Sequence, residues 1–398
     1  MTDADPRALR AVTRPLSGEI DLLAIAGDDG LLFEQEGAGL AARGVAARVP
    51  ASQAEAVLAA MASNDEVNLP GTGPVALGAL PFDPDDEGTL TIPRLIVGRA
   101  DDGTTWQTTI GDLAPPEPKK MGGAPPDGFT LTSSRSHADW CTTIAEAVDR
   151  IRSGRLDKVV LAREVVVETN RPIAPTDVLA RLRALYPSTM VFAIDGFIGA
   201  SPELLIGRSG TNIWSHPLAG TIPRSGDPAA DERLAAALLG SEKDRSEHHF
   251  VVEQVAAVLS PWCDVLDVPD TPSIVPLRNV SHLGTYVRGQ VRAGAPGALG
   301  LARLLHPTPA VGGTPSHDAL EWIRKVEGFD RGRYAGPVGW VDSRGNGRFA
   351  VGIRSAEIDG SRARLFAGVG VVADSDPRAE LAETQLKLQA LLAALVRP

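Results

Sequence analysis

Hydrophobic residues recur at helical spacing in several parts of the last two thirds of the chain. Trp140, Ile144 and Val148 are four residues apart, which places their side chains on one face of a helix. Ser136, followed three residues later by Asp139, has the composition of a helix N-terminus. The same spacing predicts three further helices, one beginning at Thr176, one covering 228–260 and one covering about 378–396.

Apolar and β-branched runs between these segments predict strands. The clearest run is KVVLAREVVVE, residues 158–168. Other strand candidates are 190–196, 203–208, 213–220, 286–291, 334–342, 348–358 and 362–372. Short turns rich in Asp and Gly, such as DSRGNGR at 342–348, separate some of them and favour antiparallel pairing. Because the helices occur in separate runs, the pattern predicts an α+β fold rather than a doubly wound parallel sheet.

The segment GDLAPPEPKKMGGAPPDG, residues 111–128, concentrates proline and glycine and predicts an extended connection. It divides the chain into a weakly patterned part, residues 1–128, and a strongly patterned region, residues 129–398. A chain of 398 residues allows two or three domains, although single large α+β units also reach this size. With 43% hydrophobic residues the chain can bury a large core.

Composition excludes several classes of function. The formal net charge is −11, so a general basic surface for nucleic acid is not expected. The two cysteines, Cys141 and Cys263, lie in segments with helical apolar spacing and predict buried reduced thiols rather than a disulfide framework. No apolar stretch has the length of a membrane span and the N-terminus has no signal-like apolar region. We therefore expect a cytoplasmic protein without membrane or nucleic-acid partners.

Two pairs of acidic residues stand three positions apart near predicted helix starts. They are Asp244 with Glu247 and Glu380 with Glu383, and each pair shares one helical face. If the two faces meet, four carboxylates converge, a ligand set that suits Mg²⁺. The alternative is that acids in a first helical turn complement the helix dipole in solvent.

Other candidate motifs have alternative explanations. Gly368, Gly370 and Ala373 satisfy the letters of the dinucleotide fingerprint, but no strand or acidic residue follows at the required distance. The two glycines share one face of a strand, which either lets a ligand approach the backbone or reflects a bulge or close strand packing. The segment EHHFVVE, residues 247–253, lacks the spacing of a zinc protease.

Three ionisable residues lie within apolar segments: Lys158, Glu203 and Arg354. Burial lowers the pKa of a lysine and raises the pKa of a glutamate, so that one can become a base and the other an acid. Salt bridging or solvation at strand ends is the ordinary explanation for each residue.

Taken together, the sequence resembles the chorismate-utilising enzymes, a family that includes isochorismate, salicylate, anthranilate and aminodeoxychorismate synthases. The resemblance covers about residues 130–398, and its motifs occur in the order of the family. They are DKVVLAR (157–163), GASPELL (199–205), PLAGTIPR (217–224), SEKDRSEH (241–248), NVSHLGT (279–285), LHPTPAVGG (305–313), YAGPVGW (334–340), IRSAE (353–357) and AGVGVVADSDPRAELAETQLK (367–387).

The resemblance implies one large fold of two packed antiparallel sheets with helices outside and an Mg²⁺-dependent site. Residues 1–128 would be its variable part and residues 129–398 its chorismate-binding catalytic region. The implied catalytic residues are Lys158, Glu203 and His282, and the implied metal ligands are Asp244, Glu247, Glu380 and Glu383. The implied substrate-binding residues are Gly220, Thr221, Ala310, Tyr334, Arg354, Gly368, Gly370 and Lys387.

Within the family, three positions favour the isochorismate synthase type. Lys158 stands where ammonia-using relatives tend to carry glutamine, and Ala219 stands where the aminodeoxychorismate type carries a nucleophilic lysine. Ala310 stands where the salicylate type often has threonine. The resemblance therefore implies water as nucleophile, chorismate and isochorismate as ligands, and no glutamine amidotransferase subunit. A salicylate synthase and a non-catalytic chorismate-binding protein are the alternatives.

Overall fold

The computed structural model of the chain describes residues 5–120 and 124–396. Residues 1–4, 121–123 and 397–398, which belong to the predicted N-terminal part, its connection and the end of the catalytic region, lie outside the described residues. The described residues of the predicted connection, 111–120 and 124–128, form no helix or strand.

Within the described ranges, the α-helices are α1 Leu22–Ala26, α2 Ala51–Ala60, α3 His137–Arg152, α4 Pro175–Leu185, α5 Pro228–Gly240, α6 Glu242–Leu259, α7 Ala298–Leu305, α8 Ser316–Val326 and α9 Pro377–Val396. Short 3₁₀ helices cover Pro6–Ala8 and Ser260–Trp262. No helix in residues 5–120 and 124–396 combines the length and apolar character needed to cross a bilayer.

The strands of the same ranges are β1 Arg10–Pro15, β2 Leu31–Gln35, β3 Ala38–Pro50, β4 Ala62–Asp65, β5 Val75–Ala79, β6 Thr89–Arg99, β7 Thr105–Ile110, β8 Phe129–Ser133, β9 Lys158–Thr169, β10 Met190–Ile194, β11 Phe197–Ser201, β12 Leu204–Ser209, β13 Asn212–His216, β14 Leu218–Pro223, β15 Cys263–Asp267, β16 Ser273–Pro276, β17 Val280–Gly284, β18 Val287–Val291, β19 Gly313–Thr314, β20 Pro337–Asp342, β21 Gly347–Val351, β22 Ser355–Asp359 and β23 Arg362–Val371.

Hydrogen bonding joins most strands into two arms that meet at the long β3–β6 pair. One arm runs from β6 through β3, β2, β10, β11, β22 and β23 to β9, whose other edge carries β8 and β19. The second arm runs from β6 through β5, β20, β21, β12, β13 and β18 to β15. These pairings are antiparallel, whereas β1 and β4 at the β7 edge pair in parallel.

The two arms pack face to face, which confirms the predicted α+β fold of packed antiparallel sheets. Phe33 and Phe192 of the first arm share one hydrophobic core with Leu77 and Phe349 of the second. In the first arm, the residues next to Phe33 and Phe192, such as Leu32 and Val191, point the other way, since successive strand side chains alternate between faces. They form a second core with helices α1, α4 and α9 outside the first arm. Strands β14, β17 and β16 form a separate three-stranded sheet, which is not hydrogen-bonded to either arm.

Several elements differ from the sequence prediction in their boundaries. The predicted helix over 228–260 is two helices, because the extended backbone of Ser241 ends α5 and caps α6. The predicted strand over 348–358 is interrupted at Arg354, whose φ is 52°, and β13 and β14 belong to different sheets. Cys263 begins β15 rather than lying in a helix, although it is buried, and both cysteines are free.

Candidate functional site

One cleft lies between the small sheet, the β9–β23 pair and the first turns of α6 and α9. It has about 940 Å³ of space, including the part that is open to solvent. Every candidate residue named from the sequence lines it. These are Lys158, Glu203, Gly220, Thr221, Asp244, Glu247, His282, Ala310, Tyr334, Arg354, Gly368, Gly370, Glu380, Glu383 and Lys387.

The four acidic residues approach the cleft from two helices. Asp244 and Glu247 lie on α6, and Glu380 and Glu383 lie on α9. Glu380 is 7% exposed, so the alternative of a solvent-facing pair at a helix start is wrong for this residue. Asp244 is partly engaged within its own helix, since its Oδ2 accepts a hydrogen bond from the Ser241 hydroxyl at 2.5 Å.

Burial and nearby lysines shift the pKa values of the two acids of α9 in opposite directions. Burial raises the pKa of Glu380, and the carboxylate of Glu383 adds to the rise while a Ser375 hydrogen bond opposes it. Burial also acts on Glu383, but nearby cations, led by Lys387, bring its pKa below the ordinary value. The Lys387 ammonium lies 2.7 Å from Glu383 Oε1 and donates to the Gly368 carbonyl at 3.0 Å.

This donor set fits a hard divalent cation. Its four carboxylates offer oxygen ligands, the chemistry that Mg²⁺ prefers, and a bound cation would offset the cost of burying the charge of Glu380. Among the described residues, no three of these acids bring ligand oxygens within 4.8 Å of one another. Ammonium groups lie among them instead, because Lys158 and Lys387 pair with Glu247 and Glu383.

Lys158 opens β9 and is 4% exposed. Its Nζ lies 2.7 Å from Glu247 Oε1. Salt bridging was one alternative that the sequence left open for Lys158, but the pattern did not identify Glu247 as the partner, because residues 158 and 247 lie on elements far apart in the chain. The candidate base, Lys158, is therefore in direct contact with one of the candidate metal ligands, Glu247.

Glu203 lies in the short connection between β11 and β12 rather than inside a strand, and it is 4% exposed. Burial raises the pKa of its carboxyl group to about 7, although a backbone hydrogen bond from Leu218 and the charges of Lys158 and Arg354 oppose the rise. A carboxyl group with this pKa is protonated in a large fraction of molecules near neutral pH. It can therefore donate a proton to a group in the cleft.

His282 on β17 has a defined tautomer. Its Nδ1 lies 3.0 Å from the Gly220 carbonyl oxygen, which can only accept a hydrogen bond. Burial and the charges of Arg354 and Lys387 lower its pKa to about 3, so the ring is neutral. Nδ1 therefore carries the hydrogen, and Nε2 offers a lone pair.

Arg354 and Tyr334 form a further part of the cleft. The Tyr334 ring stacks on Phe366 with centroids 5.1 Å apart, and burial raises the pKa of its hydroxyl to about 12. Arg354 adopts a left-handed backbone, φ 52°, between β21 and β22. This conformation is uncommon for residues other than glycine and is frequent at functional sites. A planar guanidinium here can bind two oxygens of one carboxylate.

The two glycines of β23 make room for these side chains. A Cβ at Gly370 would lie 2.7 Å from Glu247 Oε1 and 2.9 Å from Lys158 Cε. A Cβ at Gly368 would lie 3.1 Å from the Tyr334 hydroxyl. The register of β9 and β23 is unbroken at both glycines, so a bulge is wrong there, and approach of a ligand to this backbone stays a prediction.

Two charged residues of the cleft lining, Lys243 and Arg331, were not predicted from the sequence. Lys243 directly precedes Asp244, and no pattern separates it from a solvated lysine at a helix start. Arg331 lies just before the predicted strand at 334–342, in a segment for which the pattern predicted no helix or strand. In the EHHFVVE segment, the Nε2 atom of buried His248 bonds Thr285 and exposed His249 pairs with Glu253.

Comparisons with known proteins identify the family of the chain. Residues 113–396 match the family model described as chorismate binding enzyme. The chain belongs to this family. An isochorismate synthase of salicylate biosynthesis from Pseudomonas aeruginosa is 46% identical over 270 residues, which span 66% of this chain and 56% of that relative. The chain therefore matches little more than half of that protein.

Two other family members match over greater lengths. The isochorismate synthase DhbC of Bacillus subtilis is 37% identical over 333 residues, which cover 81% of each chain. The solved structure of MenF, the menaquinone-specific isochorismate synthase from Escherichia coli, has a TM-score of 0.85 at 27% identity. That alignment covers 98% of this chain and 95% of the solved one. The chain is thus similar to enzymes of the family along nearly its whole length.

Proposed function

We propose that this protein is an isochorismate synthase, which converts chorismate to isochorismate. The observation that carries the proposal is the joint placement in one cleft of a buried lysine, a buried glutamic acid with a raised pKa, and four carboxylates. The names of the similar chains in Pseudomonas aeruginosa, Bacillus subtilis and Escherichia coli support it. The product would feed menaquinone or siderophore synthesis, which is the role of isochorismate expected from the family resemblance.

The reaction moves a hydroxyl group within the substrate. In our proposal Lys158 takes a proton from a water molecule, and the oxygen of that water bonds to C2 of chorismate. The ring double bond shifts, and the C4 hydroxyl leaves as water after it receives a proton from Glu203. One water enters and one departs, so the net change is an isomerisation. The base role requires the Lys158–Glu247 ion pair to open, since an ammonium held by a carboxylate keeps its proton.

Other residues of the cleft would bind and orient the substrate. We assign the pyruvyl carboxylate to Arg354 and Tyr334, and the neutral ring of His282 would accept a hydrogen bond at Nε2. Backbone around Gly220, Thr221, Gly368 and Gly370 would allow close approach, and Lys387 and Ala310 would complete the walls. Mg²⁺ held by Asp244, Glu247, Glu380 and Glu383 would supply positive charge for the ring carboxylate.

The proposed nucleophile is water, and the lining supports this choice. Ala219 lies in the cleft and has no amine, so the side chain that would attack in the aminodeoxychorismate type is missing at this position. We therefore propose that the chain works without a glutamine amidotransferase subunit and that its ligands are small molecules.

The proposal is tested by incubating the purified protein with chorismate and Mg²⁺ and identifying products by HPLC. We expect isochorismate, with pyruvate near background. Stoichiometric salicylate and pyruvate would instead identify a salicylate synthase, and no turnover would identify a non-catalytic binding protein.

The base assignment has a separate test. Lys158→Ala should lower kcat by roughly 10² to 10⁴, the usual contribution of a positioned base, while calorimetry should show that chorismate still binds. Lys325→Ala, which removes an exposed lysine of α8, is the matched control. A near-native kcat for Lys158→Ala would contradict the assignment.

A further inference from the structure

A buried ion pair lies directly behind the cleft. Arg331 Nε lies 2.7 Å from Glu327 Oε2, and both side chains are 3% exposed. Arg331 also packs over the Phe82 ring, with its Cζ 4.0 Å from the ring centroid. Two charges this deep in a protein need close geometry and further hydrogen bonds, and the structure supplies both.

The pair binds one edge of β9 where strand pairing is interrupted. On that edge β19 pairs with residues 158–159 and β8 pairs with residues 165–169. Between these two strands, Arg331 donates to the Val160 carbonyl at 2.8 Å and Glu327 accepts from the Ala162 amide at 2.7 Å. The two side chains therefore form the hydrogen bonds with the β9 backbone that a neighbouring strand would otherwise form.

The same guanidinium reaches a second wall of the cleft. Its Nη1 donates to the Val311 carbonyl at 2.9 Å, next to Ala310. The Arg331 carbonyl accepts from the Tyr334 amide at 2.9 Å, so the turn that carries Tyr334 begins at this arginine. Arg331 thus joins the strand of Lys158, the loop of Ala310 and the turn of Tyr334.

The hydrogen bonds of Arg331 also limit its role. A guanidinium has five N–H donors. The Arg331 side chain donates four hydrogen bonds, two to Glu327, one to Val160 and one to Val311. Little donor capacity remains for a substrate, although the residue borders the cleft. The geometry favours a residue that holds other groups in place over one that binds the ligand.

We propose that Arg331 and Glu327 are a positioning pair, which fixes β9 and hence Lys158 relative to the substrate-binding walls at Ala310 and Tyr334. This inference rests on the proposed function for its readout. It predicts that small displacements of the pair act mainly on kcat, because a shift of about 1 Å at reacting groups can lower a rate by about 100-fold.

Arg331→Lys keeps the charge and removes the planar fork. We expect kcat to fall by about 10- to 100-fold, with a change in KM for chorismate of less than about threefold. The matched control is Arg333→Lys. Arg333 pairs with Glu357 at 3.3 Å and donates to the Ile194 carbonyl at 2.8 Å, yet it does not line the cleft. The control should keep kcat within about twofold, and melting temperatures of both variants are measured alongside.

A double-variant cycle separates positioning from loss of folded protein. Adding Arg331→Lys to Lys158→Ala should lower kcat by less than about threefold, since the lysine that the pair positions is already absent. Single-turnover assays at high enzyme concentration give these low rates. If Arg331→Lys does not yield folded protein, the same cycle is run with Glu327→Gln, which keeps an oxygen for the Ala162 amide.

Two results would overturn the positioning role: equal losses of kcat in the native and Lys158→Ala backgrounds, or equal effects of the Arg331 and Arg333 variants. The native protein distinguishes the two proposals. If it makes no isochorismate, the proposed function fails. If it makes isochorismate but the cycle is additive, only the positioning pair fails.

Discussion

Replacing Glu203 with glutamine tests the acid assignment through stability and activity at once. Burial raises the pKa of this carboxyl group from the ordinary 4.5 to about 7. At about 1.4 kcal/mol for each pH unit, the difference corresponds to about 3 kcal/mol. A pKa that is higher in the folded than in the unfolded protein adds stability that is fully present below about pH 4.5. This stability is lost as the pH rises to about 7.

The assay compares the free energies of unfolding of the native protein and Glu203→Gln in urea between pH 4.5 and 8. Other groups titrate in both proteins, so the difference isolates Glu203. We expect the native protein to lose about 3 kcal/mol relative to the variant over this range. Glu146→Gln, which changes an exposed residue of α3, is the control. Its free energy of unfolding should follow the same pH dependence as that of the native protein.

Activity should follow the same ionisation. The proposed acid must be protonated, so kcat/KM of the native protein should fall as the pH rises above about 7. Glu203→Gln should lower kcat by roughly 10² to 10⁴ and remove this descending limb. Parallel stability curves for the native protein and the variant, or a variant kcat within about tenfold of native, would refute the reasoning.

Four other experiments test the rest of the cleft. EDTA followed by dialysis should abolish turnover and added Mg²⁺ should restore it, whereas full turnover after this treatment would exclude the metal. Gly370→Ala should lower kcat at least about tenfold, because the added Cβ would displace both Lys158 and Glu247 from their places in the cleft, whereas Gly240→Ala, where a Cβ meets nothing within 4 Å, should not. Arg354→Lys should raise KM for chorismate about tenfold, because an ammonium cannot hold two carboxylate oxygens as a guanidinium does; an unchanged KM would contradict the assignment. Added ammonium should yield no anthranilate by HPLC, and its appearance would contradict water as the nucleophile.

Local pattern was sufficient where one element buries one continuous face. The spacing of Trp140, Ile144 and Val148 predicted α3, and these residues are buried in the shared core. The β-branched run at 158–168 predicted β9, which pairs along nearly its full length with β23. In both cases neighbouring residues determine the conformation, so a window of the sequence contains the necessary information.

Breaks between elements were harder to predict, because they depend on distant contacts. Nothing in RFAVGIRSAEI marks Arg354 as left-handed. Its carbonyl accepts a hydrogen bond from the Ala200 amide at 3.1 Å, a contact with a strand that is distant in the chain. Ser241 separates α5 from α6 through its backbone and its hydrogen bonds with Asp244.

In the candidate site, too, local features could be predicted from the sequence and contacts between distant segments could not. Acid pairs three positions apart are visible in any sequence window, and both pairs of acids reach the cleft. The contact between Lys158 and Glu247 and the bonds from Arg331 to Val160 join segments that are distant in the chain. Only the folded topology brings them together.

The pairing of early strands with late ones has a consequence for synthesis of the protein. β2 pairs with β10, more than 150 residues further along, and β5 pairs with β20, more than 250 residues further along. A ribosome would therefore release most of the chain before β5 meets its partner. Contacts of such long range slow folding, and unpaired strand edges invite aggregation in the meantime. We expect the nascent chain to depend on chaperones until β20 emerges, and a chain truncated before residue 337 to be insoluble.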